Sequence, residues 1–457
     1  MNLPAFTTPP ASLLPPDDPL RATLHNEVHA RPSALVRLPA LVVFVAVLNA
    51  DITREQEWAH LRGLPGQQDL PLESLGSSFL RLRCPGFSVK WERHTEFTRY
   101  SIVQALPDTA LLGAAEPDLL STLRVNPEWL SRIPGRTVAA IQMAMVPGEL
   151  TDQKPLLRQA LTWFGASTLI GSQLGNAEGP AGAAMGHSWA LTNFQIRDDG
   201  FERMLVIAPP GTSETRAGRI SQRLLELETY RLMALRGLPV AKLIGPMLTE
   251  TEQALATITA RLENKSDTDQ ALLDSLVALA ARVERATAEH AYRFSATQAY
   301  DTLVSQRITR LREKPIPGTQ TIGEFMQRRL SPAMATVSAT AQRLSSLSER
   351  VARTSALLRT RVDIATEVQN QQLLEKLTRG QEQQLHLQST VEGLSIAAIS
   401  YYVISLLLYC GKALKAAGLP INPEMATGAL VPVVLWSVWR TTRRIHAKIS
   451  AGLSTGH

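Results

Sequence analysis

The sequence contains little cysteine: Cys84 and Cys410 are the only two in 457 residues. Two cysteines cannot form the disulfide framework of a small secreted protein, and neither belongs to a Cys-x-x-Cys motif. We therefore expect the bulk of the chain to lie in a reducing compartment. The first 17 residues lack the basic segment and the apolar core of a signal peptide, and they are predicted to form a disordered, Pro-rich tail.

The common signatures of nucleotide-binding and hydrolytic enzymes are also absent from the sequence. In the glycine-rich stretch from Gly165 to Trp189, Gly186 precedes His187, whereas a phosphate-binding P-loop requires a lysine there. No Gly-x-Gly-x-x-Gly motif lies between a predicted strand and a helix, and no Gly-x-Ser-x-Gly nucleophile elbow is predicted. We expect the glycine-rich stretch to be a flexible loop, and we assign no catalytic residue and no cofactor.

The charge of the chain is mildly positive. Basic residues outnumber acidic ones by 47 to 41, which gives a formal net charge of +6. An anionic lipid surface is the simplest partner for this excess. The basic residues are scattered and do not alternate with aromatic ones, so nucleic acid is not an expected partner.

Residues 18–210 are predicted to form a mixed α/β domain. The run from Leu38 to Ala50 is apolar and rich in valine, yet it is too short to cross a bilayer, which indicates a buried strand. Thr53 can cap a short helix, and Gly200 supplies the positive φ that a hairpin turn requires. Further strands are predicted at residues 79–82, 87–97, 99–103, 138–146, 188–196 and 201–207.

After residue 210 the apolar residues recur at helical spacing, and residues 211–320 are predicted to form a helical domain. No proline occurs from Ala333 to Leu419, so this stretch can form one continuous helix of ~130 Å. We expect residues 321–392 to be a long, coiled-coil-like stalk that mediates self-association. Its incomplete apolar seam consists of Leu344, Leu347, Val351, Leu358 and Val362.

The stretch from Leu394 to Cys410 contains no charged residue. With Gly411 and the two lysines that follow, whose long side chains can reach the lipid headgroups, it attains the ~20 residues that a bilayer requires. We predict a transmembrane span here, and the alternative is a buried core helix. Its polar residues, which can mediate helix contacts or line a pore, are Ser400, Tyr401, Tyr402 and Ser405.

A second apolar run, from Thr427 to Trp439, contains Pro432 and is followed by a basic cluster. Positive residues favour the cytoplasmic side of a membrane. We therefore predict a hairpin of two spans over residues 393–440 and a basic tail over 441–457, with both termini in the cytoplasm. An interfacial or re-entrant segment is the alternative for this run. The predicted anchors at the membrane interface are Tyr409, Trp436, Trp439, Arg440, Arg443 and Arg444.

The segment LHNEVHARP, from Leu24 to Pro32, places two histidines at the spacing of a zinc protease helix. Glu27 lies roughly 200° around a helix from His25, so it cannot act as the general base of such a protease. A metal site remains open, and its candidate ligands are His25, His29, His94 and Glu96. The alternative is a structural polar network, with Glu27, Arg31, Glu92 and Arg93 as its members.

Three segments, LHNEVHARP, KWERHTEF (Lys90 to Phe97) and VEGLSIAAISYY (Val391 to Tyr402), together resemble a bacterial family of uncharacterised, membrane-anchored proteins with a domain of unknown function. The resemblance covers nearly the whole chain. It implies attachment to the membrane through the C-terminus and brings no known activity.

The predicted order of domains is loosely similar to that of the CorA-type magnesium channels. In those channels a Gly-Met-Asn motif follows the pore-lining span, whereas this sequence has Gly411-Lys412-Ala413. Lys412 and Lys415 would repel cations at the mouth of a pore. The similarity therefore supports a topology and an oligomer more than it supports transport.

Taken together, the sequence predicts an α+β protein with an N-terminal mixed α/β domain, a helical region with a long stalk and a C-terminal two-span hairpin in the bacterial inner membrane. The favoured hypothesis is a membrane-anchored interaction scaffold or sensor that associates with the lipid bilayer and with copies of itself. The alternatives are a CorA-like oligomeric ion channel and, third, a metal-dependent enzyme.

Overall fold

The computed structural model describes residues 17–21, 24–25, 34–175, 177–178, 184–185, 187–264, 268–417 and 422–453. The chain divides into two units. Unit 1 comprises Met1–Ala260 and Ser275–Ala352, and unit 2 comprises Arg261–Asp274 and Arg353–His457.

The strands belong to unit 1, and the longest helices contain residues of both units. The strands are β1 (Ala40–Leu48), β2 (Phe79–Cys84), β3 (Phe87–Arg93), β4 (Phe97–Ala105), β5 (Arg136–Pro147), β6 (Ile170–Leu174), β7 (Ala177–Glu178), β8 (Ala184–Met185), β9 (Ser188–Ile196), β10 (Glu202–Ala208) and β11 (Lys314–Pro315). The α-helices are α1 (Arg54–Arg62), α2 (Pro127–Ser131), α3 (Gln153–Phe164), α4 (Glu214–Leu235), α5 (Gly237–Asn264), α6 (Asp269–Leu311), α7 (Ile322–Arg329), α8 (Ser331–Ala416) and α9 (Pro423–Leu453).

The fold is α+β, as predicted, and among the described residues unit 1 is built on a mixed sheet of nine strands. Their order is β11-β6-β9-β10-β5-β1-β4-β3-β2, and β7 and β8 form a separate pair. Neighbouring strands of the large sheet are antiparallel, except that β5 and β10 run parallel. Strand β1 lies near the centre and is buried along nearly its whole length, which explains its unbroken run of apolar residues.

Helices cover both faces of this sheet. Alternate residues of β1 point to opposite faces, and those on one face, such as Val43, share a core with Trp163 and Phe164 of α3. Helix α4 packs against β1 and β5 on the other face. Some of these helices begin at a polar cap that the sequence supplies: the Thr53 hydroxyl accepts a hydrogen bond at the start of α1, and Ser213 does so at the start of α4.

Two predictions about the strands were wrong. The strand predicted over residues 87–97 is two strands, because β3 ends at Arg93 and β4 begins at Phe97; the backbone N–H of His94 donates to the carbonyl of Phe97 at 2.8 Å across the turn. The flexible loop predicted from Gly165 to Trp189 contains β6, which pairs with β9 and with β11. Gly171 allows β6 to pack closely against the side chain of Leu191, since a Cβ atom at position 171 would lie 2.4 Å from a methyl carbon of Leu191.

Helix α8 runs unbroken for 86 residues, as the absence of proline predicted. The apolar residues predicted to form a seam for another helix are instead largely buried within the fold. The buried members are Leu344, Leu347, Val351 and Leu358. These four residues are therefore not available to a second helix.

Within unit 2, the side chain of Arg361 on α8 contacts two other helical segments of that unit. Its Nη1 atom donates to the carbonyl of Leu262 at 2.8 Å, and its Nε lies 3.1 Å from Oδ2 of Asp269. These bonds join the end of α5 and the start of α6 to α8. Beyond them, every residue of α8 from Asp363 to Thr390 is exposed.

Candidate functional site

Two helical stretches in the described residues are long and apolar enough to cross a membrane: Glu214–Asn264 and Ile322–Ala416. In the first stretch 33% of the most apolar window is buried, and its helix α4 packs on the sheet as a core helix does. In the second only 6% of the window is buried. Helix α9, which carries the second predicted span, does not meet the same criterion, so the two-span hairpin is not confirmed.

The charge-free part of α8 exposes most of its apolar surface. Ser400 is an exception, because it is only 2% exposed and its hydroxyl oxygen has no hydrogen-bond partner among the described residues. Tyr401 and Tyr402 are exposed and contact each other edge to face, whereas Ser405 is half-buried. Exposed apolar surface of this extent is typical of a membrane-contacting or interaction surface.

The predicted interface anchors form pairs of aromatic and basic side chains. The guanidinium carbon of Arg440 lies 4.8 Å from the ring centre of Trp436, and that of Arg443 lies 4.7 Å from the ring centre of Trp439. The Lys412 amine lies 6.0 Å from the ring centre of Tyr409. Such amphipathic pairs suit the boundary between lipid and water. Arg444, the last predicted anchor, is exposed.

The structure separates the predicted metal ligands into different environments. His25 is exposed, and His29 lies outside the described residues, as do Glu27 and Arg31. The ring of His94 stacks on Phe97 with centroids 4.6 Å apart, and Glu96 forms an ion pair with Arg293 of α6. In the described ranges, no group of three or more His, Cys, Asp or Glu side chains is placed to hold a metal ion.

The remaining members of the predicted polar network have partners different from those expected. Arg93 forms an ion pair with Glu57 of α1, and the hydroxyl of Thr98 donates to the same carboxylate. Glu92 faces the opposite side of the sheet, because adjacent residues of a strand alternate. There its Oε2 atom accepts a hydrogen bond from Nε of Arg99 at 2.6 Å and lies 3.1 Å from Nζ of Lys90.

This buried charge network extends from the sheet to the helices. Nη2 of Arg99 lies 3.5 Å from Oε1 of Glu226 on α4, and Nε of Arg307 on α6 lies 2.7 Å from the other oxygen of Glu226. Burial by itself would raise the pKa of Glu92, but the charges of Arg99 and Lys90 outweigh burial and hold it at about 2. The network therefore stays ionised at neutral pH and links β3, β4, α4 and α6.

A second buried cluster contains more acid than base. Arg231 pairs with Glu228 through two hydrogen bonds, and its Nη2 lies 3.5 Å from Oε1 of Glu202. Burial, together with the negative charge of Glu228, raises the pKa of Glu202 to about 8. One guanidinium thus neutralises one carboxylate, and Glu202 is held as the neutral acid.

A third buried group surrounds His60 at the end of α1. Its ring stacks on Trp129 at a centroid distance of 4.3 Å and meets Tyr100 edge to face at 6.0 Å. Burial lowers the pKa of His60 to about 4. Its Nε2 atom, the hydroxyl of Tyr100 and the indole N–H of Trp91 are all buried, and none has a hydrogen-bond partner within the described part of the chain.

Residues 16–449 match a family whose description is "Protein of unknown function (DUF3422)". The chain belongs to this family. The match covers nearly the whole chain and confirms the resemblance inferred from its three sequence segments. No curated protein and no solved structure matches the chain. The family description names no activity, so the function must be argued from the geometry of the chain itself.

Sequence reasoning missed the buried polar residues contributed by the helices. Glu226 and Glu228 occur two positions apart in α4, on what looks like the polar face of an amphipathic helix. The available signal was weak: Glu202 and Arg203 open a strand whose remaining residues are all apolar, which indicates polar groups directed into the fold.

Proposed function

We propose that this protein is anchored in a membrane by the apolar part of α8 and acts through interactions made by unit 1. The observation that carries the proposal is the exposed apolar surface between Leu394 and Cys410. A core helix of this composition would be covered by protein, whereas Tyr401, Leu406 and Tyr409 are each more than 60% exposed. Lipid is the simplest cover for a charge-free helix of this length.

Helix α9 is proposed to complete a hairpin of two spans. Within unit 2, Thr427 and Val434 of α9 are buried, and they lie seven residues apart on one helical face. The Trp–Arg pairs at Trp436 and Trp439 would then mark the cytoplasmic boundary, with both termini on that side. In a bacterium this arrangement corresponds to the inner membrane.

Self-association is proposed to use the exposed part of α8 that precedes the span. Apolar side chains recur there at spacings of four, ten and four residues along one face, and all are more than half exposed. They are Leu373, Leu377, Leu387 and Val391. A second copy of the same helix in parallel is the natural partner, because both copies would enter the membrane in the same direction.

Membrane insertion is tested by alkaline carbonate extraction of cell membranes. The wild type is expected to stay in the membrane fraction, whereas Ile404→Arg combined with Leu407→Arg is expected to release the protein, since each central charge costs roughly 3 kcal/mol. Leu357→Arg is the control, because Leu357 is an exposed apolar residue of the same helix that lies outside the charge-free stretch. Extraction of the wild type by carbonate would overturn the anchor.

The mass of the detergent-extracted chain separates the scaffold or sensor from the channel. Light scattering that gives a dimer or trimer, dissociated by Leu377→Lys with Leu387→Lys, supports a scaffold joined through α8. A closed ring of four or more subunits would favour a CorA-like channel, which would then have to show ion flux in liposomes. A monomeric mass would contradict both the proposed pairing of α8 helices and the channel hypothesis.

A further inference from the structure

A cavity of about 390 Å³ in unit 1 is lined by an unusual number of arginines. It lies between the start of α4, the end of α6 and the junction of β6 with β9. The lining residues that carry charge are Arg216, Arg219, Arg223, Arg310 and Arg312, with His187 beside them. Below we call this group the arginine cavity.

The helices bring these arginines together from distant parts of the sequence. Arg216, Arg219 and Arg223 are spaced three and four residues apart, so they project from one face of α4. Arg310 lies in the last turn of α6, and Arg312 follows the helix in the left-handed conformation, with a φ of 48°. Backbone bonds fix the junction: the N–H of Gly175 donates to the carbonyl of Leu311, and that of His187 to the carbonyl of Leu174.

Part of the positive charge of the arginine cavity has no matching negative charge among the described residues. None of the described residues that line it is acidic, and within the described chain no carboxylate pairs with Arg219, Arg310 or Arg312. The nearest carboxylates along the chain have other partners: Glu226 binds Arg307, and Glu313 accepts hydrogen bonds from Ser172 and Gly323.

Two further features make this cluster unfavourable in the absence of a ligand. Burial lowers the pKa of Arg223, and the neighbouring charges of Arg219 and Arg310 lower it further. Arg216 lies in the first turn of α4, where the positive end of the helix dipole disfavours a cation. Repelling like charges and a cation at the start of a helix are both unfavourable for the unliganded protein. Unfavourable arrangements of this kind are typical of a binding site that a ligand of opposite charge completes.

We propose that the arginine cavity binds an anion that carries two or more phosphate groups. Guanidinium groups bind phosphate through paired hydrogen bonds. Several guanidinium groups in one concave surface suit a ligand with several phosphate groups better than a ligand with a single phosphate. The cavity volume falls within the range of small-molecule sites. Its floor, formed by the buried side chains of Leu174, Ile220 and Leu311, holds the arginines on rigid elements.

The site differs from a P-loop in its chemistry. A P-loop surrounds phosphate with backbone N–H groups and one lysine, and the sequence lacks that motif. Here the positive charge comes from side chains on two helices. The missing P-loop therefore does not argue against phosphate binding at this place.

The test is isothermal titration of the full chain in nonionic detergent with inorganic tripolyphosphate. We expect saturable binding that weakens as salt is added, and a loss of at least about tenfold in affinity for Arg219→Gln with Arg223→Gln. Both arginines are exposed, so these variants are expected to fold. Arg219→Lys with Arg223→Lys keeps the charge but not the paired geometry, and its loss should be smaller.

The matched control is Arg83→Gln with Arg136→Gln, which removes the same charge from exposed positions elsewhere in unit 1. Its affinity for tripolyphosphate should equal that of the wild type. The unliganded Arg219→Gln, Arg223→Gln protein should also unfold at a higher temperature than the wild type, because the mutual repulsion of the arginines is reduced. The proposed site would be overturned if the wild type showed no saturable binding of tripolyphosphate, or if the control variant lost as much affinity as Arg219→Gln with Arg223→Gln.

The source of the phosphate groups is distinguished by adding lipid. In micelles mixed with phosphatidylcholine, tripolyphosphate binding should be unchanged. If micelles that contain cardiolipin, a lipid with two phosphates, compete with tripolyphosphate in the wild type, the natural ligand is a lipid headgroup. If they do not compete, the ligand is a free polyphosphate compound. Either result supports the site, which does not depend on the proposed membrane anchor.

Discussion

Nε of Arg307 on α6 donates a hydrogen bond to Oε2 of Glu226 on α4 at 2.7 Å. Because Glu226 also faces Arg99, this one carboxylate serves two arginines that come from the sheet and from a helix. Glu226 is 6% exposed, so its partners have little access to water if it is removed.

We therefore expect Glu226→Leu to lower the free energy of unfolding by about 3 kcal/mol, since it leaves the Arg307 guanidinium without a counter-ion and leaves Arg99 and Lys90 to share Glu92 alone. Thermal unfolding followed by near-ultraviolet circular dichroism measures the change. Glu252→Leu is the control, because its ion pair with Arg343 is more exposed and should contribute less than about 1 kcal/mol. Equal effects of the two variants would contradict the network.

Glu202 should make the protein less stable as the pH rises. Its pKa in the folded state is about 8, against about 4.3 in an unfolded chain. Between these values the folded state binds more protons than the unfolded state, so the free energy of unfolding falls from pH 5 to pH 8. Glu202→Gln should remove this fall and melt at a higher temperature than the wild type at pH 8. An exposed control, Glu214→Gln, should follow the wild type at every pH.

His60 should have the opposite effect at lower pH. Its folded-state pKa is about 4, against about 6.5 when unfolded, so the unfolded state binds more protons between these values. The wild type should therefore lose stability as the pH falls from 6.5 to 4. His60→Phe keeps the stacking on Trp129 and should show a smaller loss in the urea midpoint. His386→Phe, at an exposed position, should leave the pH profile unchanged.

Gly135 should tolerate no side chain. Its φ is 120°, and a Cβ atom would lie 2.4 Å from the carbonyl oxygen of Leu48 at the end of β1. Gly135→Ala should cost about 3 kcal/mol through backbone strain and displacement of β1. Hydrogen exchange of the amides in β1 and β5 should accelerate in this variant. Gly76→Ala, where nothing lies within 4 Å, should exchange like the wild type.

The features that the sequence predicted well depend on residues close to one another in the chain. The Thr53 cap, the turn at Gly200 and the long helix without proline all follow from rules that act over a few residues. Strand β1 was predictable because it is apolar on both faces. The apolar stretch of α8 was equally visible, since its composition alone distinguishes it.

The features that the sequence did not reveal depend on pairing across long separations. Arg99 and Glu226 are 127 positions apart, and Ser172 meets Glu313 across 141. The turn at His94 divides a segment whose alternating pattern continues on both sides, so periodicity could not locate it. The arginine cavity likewise exists only after α4 and α6 have packed, and no local motif marks its residues.

Strand β11 consists of two residues, yet it pairs with β6 and lies at the edge of the large sheet. This edge can close only after the ribosome has made the intervening helices α4, α5 and α6. The charge-free stretch of α8 follows roughly 80 residues later. The order of synthesis therefore allows the sheet to be completed before the most apolar segment of the chain emerges, which separates the folding of the sheet in time from any delivery to lipid.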